Sequence, residues 1–99
     1  MADFYIQLLA GVLYVEGRLV RETVQAVWNT SKPLLSTLPK YSIDLGDVSK
    51  SDSATLALLL EWYRYAKLQE KPIEFLRVPR ILLNIAKLSD LDEVLPLKE

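Results

Sequence analysis

The sequence predicts an α/β fold: a mixed β-sheet that starts with a hairpin and has helices packed on it. Short runs rich in β-branched and aromatic residues alternate along the chain with longer segments whose apolar residues recur every three or four positions. The first two of these runs follow one another with only a glycine between them. Alternation favours parallel strands with right-handed crossovers, and the adjacent pair favours a hairpin. The 99 residues are expected to form one domain, 1–99.

The N-terminal half predicts a hairpin and then a helix. The strands are "FYIQLLA" (Phe4–Ala10) and "VLYVEG" (Val12–Gly17). Beyond them the apolar residues change to helical spacing. The residues that show it are Val20, Val24, Val27 and Trp28. Pro33 is expected to end or kink this helix, and whether residues 34–38 continue it stays open.

The C-terminal half continues the alternation. A strand is predicted over "YSIDLGDV", residues 41–48, with one better-buried face, followed by a helix from about Ser53 to about Gln69. "IEFLRV", residues 73–78, is a further strand, and Pro79 suits the first turn of a third helix. That helix has Leu82, Ile85, Ala86 and Ser89 on one side. The tail "LDEVLPL" is a last short strand or an irregular cover.

Composition excludes several classes of function. The formal charge is −1, which gives no basic face for nucleic acid or anionic lipid. The sequence has neither histidine nor cysteine, so disulfides and thiolate metal sites are excluded and the commonest general base is missing. No serine has an evident base and there is no glycine-rich phosphate loop. We therefore expect no enzyme, no cofactor and no metal. Solvated surface charge is the stronger interpretation of the acidic groups, which are Asp44, Asp47, Asp90, Asp92 and Glu93.

Hydropathy indicates a soluble, cytoplasmic protein with a partner. The N-terminus lacks the basic start and long apolar core of a signal peptide, and no apolar run is long enough to cross a bilayer. Yet 51% of residues are hydrophobic and the mean hydropathy is +0.14. A domain this small buries a limited share of its surface, so some apolar area is expected to stay outside unless a partner, or a second copy, covers it.

The stretch "KSDSATLALLLEWYRYAKLQ" carries the candidate site. Asp52 and Ser53 stand where a helix begins, and the simplest interpretation is a cap worth about 1 kcal/mol. A phosphate on Ser53 would sit in the field of the same helix N-terminus. On a helical wheel one side is expected to face the sheet: Leu59, Trp62, Tyr63 and Ala66. The solvent side holds Ser53, Ala57 and Leu60, which predicts a docking surface.

"IDLGDVSKSDSATLALLL" and "YVEGRL" resemble the STAS domains of bacterial anti-sigma-factor antagonists, over nearly the whole chain. "LALLL", "AKLQ" and "IAKLSDLDEVLP" are similar to the MlaB-type branch, the small STAS subunits of the bacterial ABC system that moves phospholipids. The resemblance implies a non-catalytic subunit, peripheral to the inner membrane, that binds the MlaF-like ATPase and through it the permease, and so supports outer-membrane lipid asymmetry. Phospho-regulated partner switching, as in anti-sigma-factor antagonists, is the alternative.

The resemblance also implies which residues meet the partner. Ser53 occupies the position of the family's phosphorylatable or interface Ser/Thr, preceded by Asp52, and Trp28 aligns with a tryptophan on the first helix. A tryptophan on an amphipathic helix is by itself more often a core residue, and only with the resemblance do the core and interface interpretations of Trp28 stand level. Many members have glycine where this chain has Thr55. The side chain of Thr55 would tighten the loop or restrict the approach of a kinase. The expected partner-binding residues are Trp28, Asp52, Ser53, Ala54, Ala57 and Leu60.

Overall fold

A computed structural model describes residues 3–99 and has four strands and three helices in that range. The elements are β1 Phe4–Leu9, β2 Val12–Leu19, α1 Val24–Leu35, β3 Tyr41–Ser51, α2 Ser53–Leu68, β4 Ile73–Leu76 and α3 Arg80–Leu88. The strands lie in the order β1-β2-β3-β4; the first pair is antiparallel and the other two pairs are parallel. The predicted mixed sheet with an N-terminal hairpin is confirmed.

The hairpin closes through a two-residue loop. Ala10 and Gly11 both have positive φ, 50° and 79°, and Leu9 pairs with Val12. Two consecutive positive φ values make the turn whose twist matches that of the flanking strands. Alternation along β1 then directs Phe4, Ile6 and Leu8 toward the core, where they are half-buried.

Helix α1 starts later than its valine pattern suggests. Val20 is buried, but it belongs to a turn in which the N–H of Thr23 donates to its carbonyl at 2.8 Å and its own N–H donates to Thr23 Oγ1 at 3.0 Å. The helix therefore begins at Val24. Pro33 does not end it, because a proline in the last turn removes a single hydrogen bond, and α1 continues to Leu35.

Strand β3 differs from the expectation of one better-buried face. Residues 41–45 are all buried, because β3 lies between β2 and β4. Ile43 faces the helices, and on the other face Ser42 and Asp44 are covered by side chains from β4 and the residue after it. Ser42 donates to Glu74 at 2.8 Å, and Arg77 Nε donates to the Asp44 carboxylate at 2.9 Å. Long polar side chains thus bury the polar face as well.

The last elements were predicted with errors at their ends. β4 stops at Leu76, two residues early, because Arg77 takes a positive φ of 49°. Pro79 precedes α3 as its N-cap residue, and Ser89 is exposed instead of sharing the buried side of Leu82 and Ala86. The tail is an irregular cover with a single bridge, Phe75 to Leu97.

The three helices cover one face of the sheet. Helix α1 packs over β1 and β2, α2 over β3, and α3 beside α2. As predicted, Leu59, Trp62 and Ala66 are fully buried, whereas Tyr63 is half-buried. Trp62 donates its indole N–H to Ser31 Oγ at 2.9 Å, which joins α2 to α1. Between residues 3 and 99, no helix has the length and apolarity needed to cross a membrane.

Candidate functional site: a groove between α1 and α2

A groove of about 290 Å³ lies between the first halves of α1 and α2. One wall is α1 and the other is α2, and Ala54 and Ala57 occupy positions where a larger side chain would fill the space. Its lining residues are Val24, Gln25, Trp28, Ala54, Ala57, Leu58 and Glu61. The groove therefore brings together Trp28, Ala54 and Ala57, three of the six residues expected to bind a partner.

Trp28 is held in place on the α1 wall. Its ring meets Tyr65 edge to face, with the ring centroids 5.7 Å apart and the planes at 88°. The Lys32 ammonium lies 5.7 Å from the Trp28 ring centroid and 5.5 Å from that of Tyr65. Such contacts restrict the indole. Trp28 is half-buried, so it both packs against the core and lines the groove, and the two interpretations of this residue apply together.

Asp52 fixes the N-terminus of α2 relative to the loop before α1. Its Oδ1 accepts the N–H of Ala54 at 2.9 Å, as an N-cap residue does. Its Oδ2 accepts the N–H of Arg21 at 3.2 Å. One carboxylate thus joins the segments that lead into both walls of the groove, and its role is to position them.

Thr55 completes this arrangement. Its Oγ1 accepts the N–H of Asp52 at 3.0 Å, which makes a capping box. The same hydroxyl donates to the carbonyl of Leu19 at the end of β2. Thr55 is fully buried, and its hydroxyl tightens the loop between β3 and α2. The spacing Asp52-x-x-Thr55 carries this signal in the sequence.

Ser53 is exposed at the first position of α2. That exposure makes its hydroxyl accessible from solvent. The N–H groups of the next two residues are already engaged, because Ala54 donates to Oδ1 of Asp52 and Thr55 donates to its backbone carbonyl. A phosphate on Ser53 would compete with Asp52 for these donors and would stand beside its negative charge.

Leu60 is half-buried against the core and does not line the groove. At about 100° per residue, Leu60 lies about 120° around the helix from Ala54 and about 60° from Ala57, so it lies beside the groove and not in it.

The charged residues of the groove are few. Glu61 lies at its end and is 3.3 Å from Arg64 on the same helix. The acidic residues considered as metal ligands are elsewhere: Asp44 and Asp47 both contact Arg77, at 2.9 and 3.6 Å. Among residues 3–99 no three acidic side chains are grouped to hold a metal ion. The groove thus offers shape and apolar contact.

Sequence reasoning missed four of the seven residues that line the groove. Val24 was used only as evidence for helical spacing, and Gln25, Leu58 and Glu61 were not considered as neighbours of Trp28. The helical period of α1 and that of α2 each show which residues share a side of that helix. They do not show which side of one helix faces the other.

The comparisons with known proteins agree with this fold. A family model described as "Mlab, STAS domain" matches residues 4–97. No curated protein sequence matches the chain. A putative anti-sigma factor antagonist from Thermotoga maritima superposes with a TM-score of 0.78 at 15% identity, covering 97% of this chain and 86% of that one.

Two further solved structures are similar. A STAS domain protein from Planctomyces limnophilus has a TM-score of 0.73 at 23% identity, covering 97% of this chain and 89% of that one. SpoIIAA from Bacillus, in its phosphorylated form, has a TM-score of 0.69 at 13% identity, covering 97% and 91%. At these identities the structures show the fold alone.

Proposed function

The chain belongs to the STAS family, and from that premise we propose that it is a non-catalytic subunit that binds the ATPase of a phospholipid-transport ABC transporter. The observation that carries the proposal is the groove between α1 and α2, which Trp28, Ala54 and Ala57 help to line. The description of the matching family model favours the MlaB-type branch over the rest of the family. The ATPase would be of the MlaF type.

The groove has the properties of a docking site. Its α1 wall is a tryptophan whose orientation Tyr65 and Lys32 restrict, so little entropy remains to be lost when a partner binds. Its α2 wall is built on Ala54 and Ala57, which leave room for a protruding side chain of the partner. Buried aromatic side chains beside small pockets are where interfaces concentrate their binding energy.

The proposed mechanism is mechanical. Docking at the groove holds the ATPase in a productive arrangement, and the hydrolysis chemistry belongs to the partner. The protein is then cytoplasmic and peripheral to the inner membrane through that partner, in a system that maintains outer-membrane lipid asymmetry. No residue of this chain is assigned a catalytic role.

Partner switching controlled by phosphorylation of Ser53 is the second candidate. The exposure of the Ser53 hydroxyl favours it. Two features count against it: Asp52 already occupies the nearby N–H donors, and buried Thr55 ties the loop to Leu19. We therefore rank it below docking on the ATPase.

The test is a pull-down of the tagged protein from its own cells, with mass spectrometry of the partners and of Ser53. Ala57→Arg should lower recovery of an ABC ATPase at least about tenfold, because it fills the groove with a charged side chain. Ser89→Arg, on the exposed end of α3, adds the same charge away from the groove and should leave recovery unchanged. Ser53→Ala should also retain the ATPase.

Two results would contradict the proposal. One is undiminished recovery of the ATPase with folded Ala57→Arg. The other is recovery of a small kinase-like anti-sigma factor, with phosphate on Ser53 and loss of binding in Ser53→Ala, which would establish the switching function instead.

A further inference from the structure

Within residues 3–99, the chain covers one edge of the sheet and leaves the other uncovered. The β4 edge is covered by the tail: the N–H of Phe75 donates to the carbonyl of Pro96 at 3.0 Å, and the N–H of Lys98 donates to the carbonyl of Phe75 at 2.9 Å. β1 forms the opposite edge and pairs only with β2. Its outer side has no backbone hydrogen bond within residues 3–99.

The pairing of β1 with β2 identifies the free groups. Hydrogen-bonded and non-hydrogen-bonded pairs alternate along an antiparallel ladder. The two-residue loop makes Leu9 and Val12 a hydrogen-bonded pair. The N–H of Arg18 donates to the carbonyl of Asp3 at 2.9 Å, so the odd-numbered residues are the ones that bond to β2. The even-numbered residues therefore direct their N–H and C=O groups outward: Phe4, Ile6 and Leu8.

β1 lacks the features that usually protect an edge strand. Proteins discourage edge-to-edge pairing with lysines, prolines, bulges or inward-pointing charges. "FYIQLL" contains no charge and no proline, and its pairing with β2 runs without a bulge. Tyr5 and Leu9 are 59% and 51% exposed on the face that the helices leave open.

The helix above this edge is neutral on the same side. Because α2 lies on one side of α1, over β3, the opposite side of α1 lies over the β1 edge. Ala26, Thr30 and Leu34, four residues apart, form that side. The single charged residue within α1 is Lys32, which contacts the rings of Trp28 and Tyr65 on the α2 side.

We propose that this edge pairs with a second copy of the same chain, β1 against β1 in antiparallel orientation, to give one continuous sheet. The free groups determine the register: Phe4 lies opposite Leu8, and Ile6 lies opposite Ile6 of the second copy. Each of these three pairs forms two hydrogen bonds, and all outward groups of both strands are satisfied. On the open face Tyr5 lies opposite Gln7.

A second copy fits this edge because the strand is complementary to itself. The register opposes no two like charges, and the two-fold axis that relates the strands puts both α1 helices on the same face, where their neutral sides meet. A charged edge would instead select a partner strand of opposite charge. The groove between α1 and α2 is on the far side of α1, so the pairing leaves it open and is independent of the proposed function.

The first measurement is sedimentation equilibrium of the full chain across the micromolar range, with hydrogen exchange at both ends of it. Self-association should slow exchange at the amides of Phe4, Ile6 and Leu8. The amides of Tyr5 and Gln7 already donate within the hairpin and should change little. A chain that stays monomeric throughout, or protection that does not alternate in this way, overturns the proposal.

Charge substitutions test the register. Tyr5→Lys with Gln7→Lys places two pairs of like charges directly opposite across the interface and should weaken association at least about tenfold. Tyr5→Lys with Gln7→Glu places opposite charges there and should restore it. Both side chains are exposed on the open face, so the fold should tolerate either pair.

A matched control adds two lysines elsewhere, Gln69→Lys with Asn84→Lys, at exposed positions of the helical layer. It should associate like the unmodified chain. Equal weakening by the control, or no rescue by the charge swap, would mean that β1 is not the interface. The proposal would also be overturned if β1 paired only with a strand of another protein and not with a second copy of this chain.

Discussion

Replacing Thr55 with valine tests the arrangement that positions the groove. Valine has nearly the shape of threonine but cannot form the two hydrogen bonds of Oγ1, one from the N–H of Asp52 and one to the carbonyl of Leu19. Thr55 is fully buried, so water does not replace its hydroxyl. Each lost bond costs about 1 kcal/mol, and each partner left unpaired adds to that cost.

The expected total is about 2–3 kcal/mol, toward the lower end because the hydrogen bond from the N–H of Asp52 is only partly buried. That is a large share of the ~5–15 kcal/mol by which a domain is stable. For a domain of this size it corresponds to a fall in Tm of about 10–20 °C. The assay is urea unfolding followed by the fluorescence of the two tryptophans, Trp28 and Trp62, with Tm from circular dichroism.

Thr55→Ser is the matched control, because it keeps the hydroxyl and loses only a methyl group, at about 1 kcal/mol. If Thr55→Val unfolded at the same urea concentration as Thr55→Ser, the two hydrogen bonds would not hold the loop, and the reasoning would be refuted. Thr55→Val should also weaken recovery of the ATPase if the cap positions the groove.

Two further predictions concern the sheet. Hydrogen bonds from Lys40, Lys98 and Ser42 to Glu74 lower its pKa from 4.5 to about 2, so its stabilising effect is present above pH 4.5 and is lost as pH falls toward 2. The difference in urea midpoint between the unmodified protein and Glu74→Gln should therefore shrink over that range, and a constant difference would contradict it. Gly11→Ala and Gly17→Ala both place alanine at positive φ, which lowers the free energy of unfolding by about 1–2 kcal/mol. Only at Gly17 would the new Cβ also contact backbone atoms, those of Asp3 and Phe4. Gly17→Ala should therefore lower Tm more, and equal falls would argue against this close approach.

Local patterns were sufficient for much of the fold. The span of α2 and the side it turns to the sheet follow from a period of 3.6 residues, and the hairpin follows from two β-rich runs around a glycine. The cap is local too, because Asp52 and Thr55 are three residues apart and bond to each other. The family is identified from motifs spread over residues 4–97.

Local patterns failed where a distant residue decides the outcome. Arg77, 33 residues away, buries Asp44 on the polar face of β3. The late start of α1 is an exception, because Thr23 donates to the carbonyl of Arg18, five residues away, at 2.7 Å, a local bond that the valine pattern does not show. Leu60 does not line the groove although the wheel groups it with Ala57, because the groove is formed by two helices and a wheel describes one.

The sequence by itself determined the order of strands and helices and the cap of α2, because each depends on residues close together in the chain. It also determined the family, through motifs that extend over residues 4–97. The tertiary structure alone decided that Trp28 faces Ala54 and Ala57 across a groove and that β1 remains an uncovered edge. Both features depend on how helices and strands pack against each other. The hydrophobic period of a single element does not specify that packing.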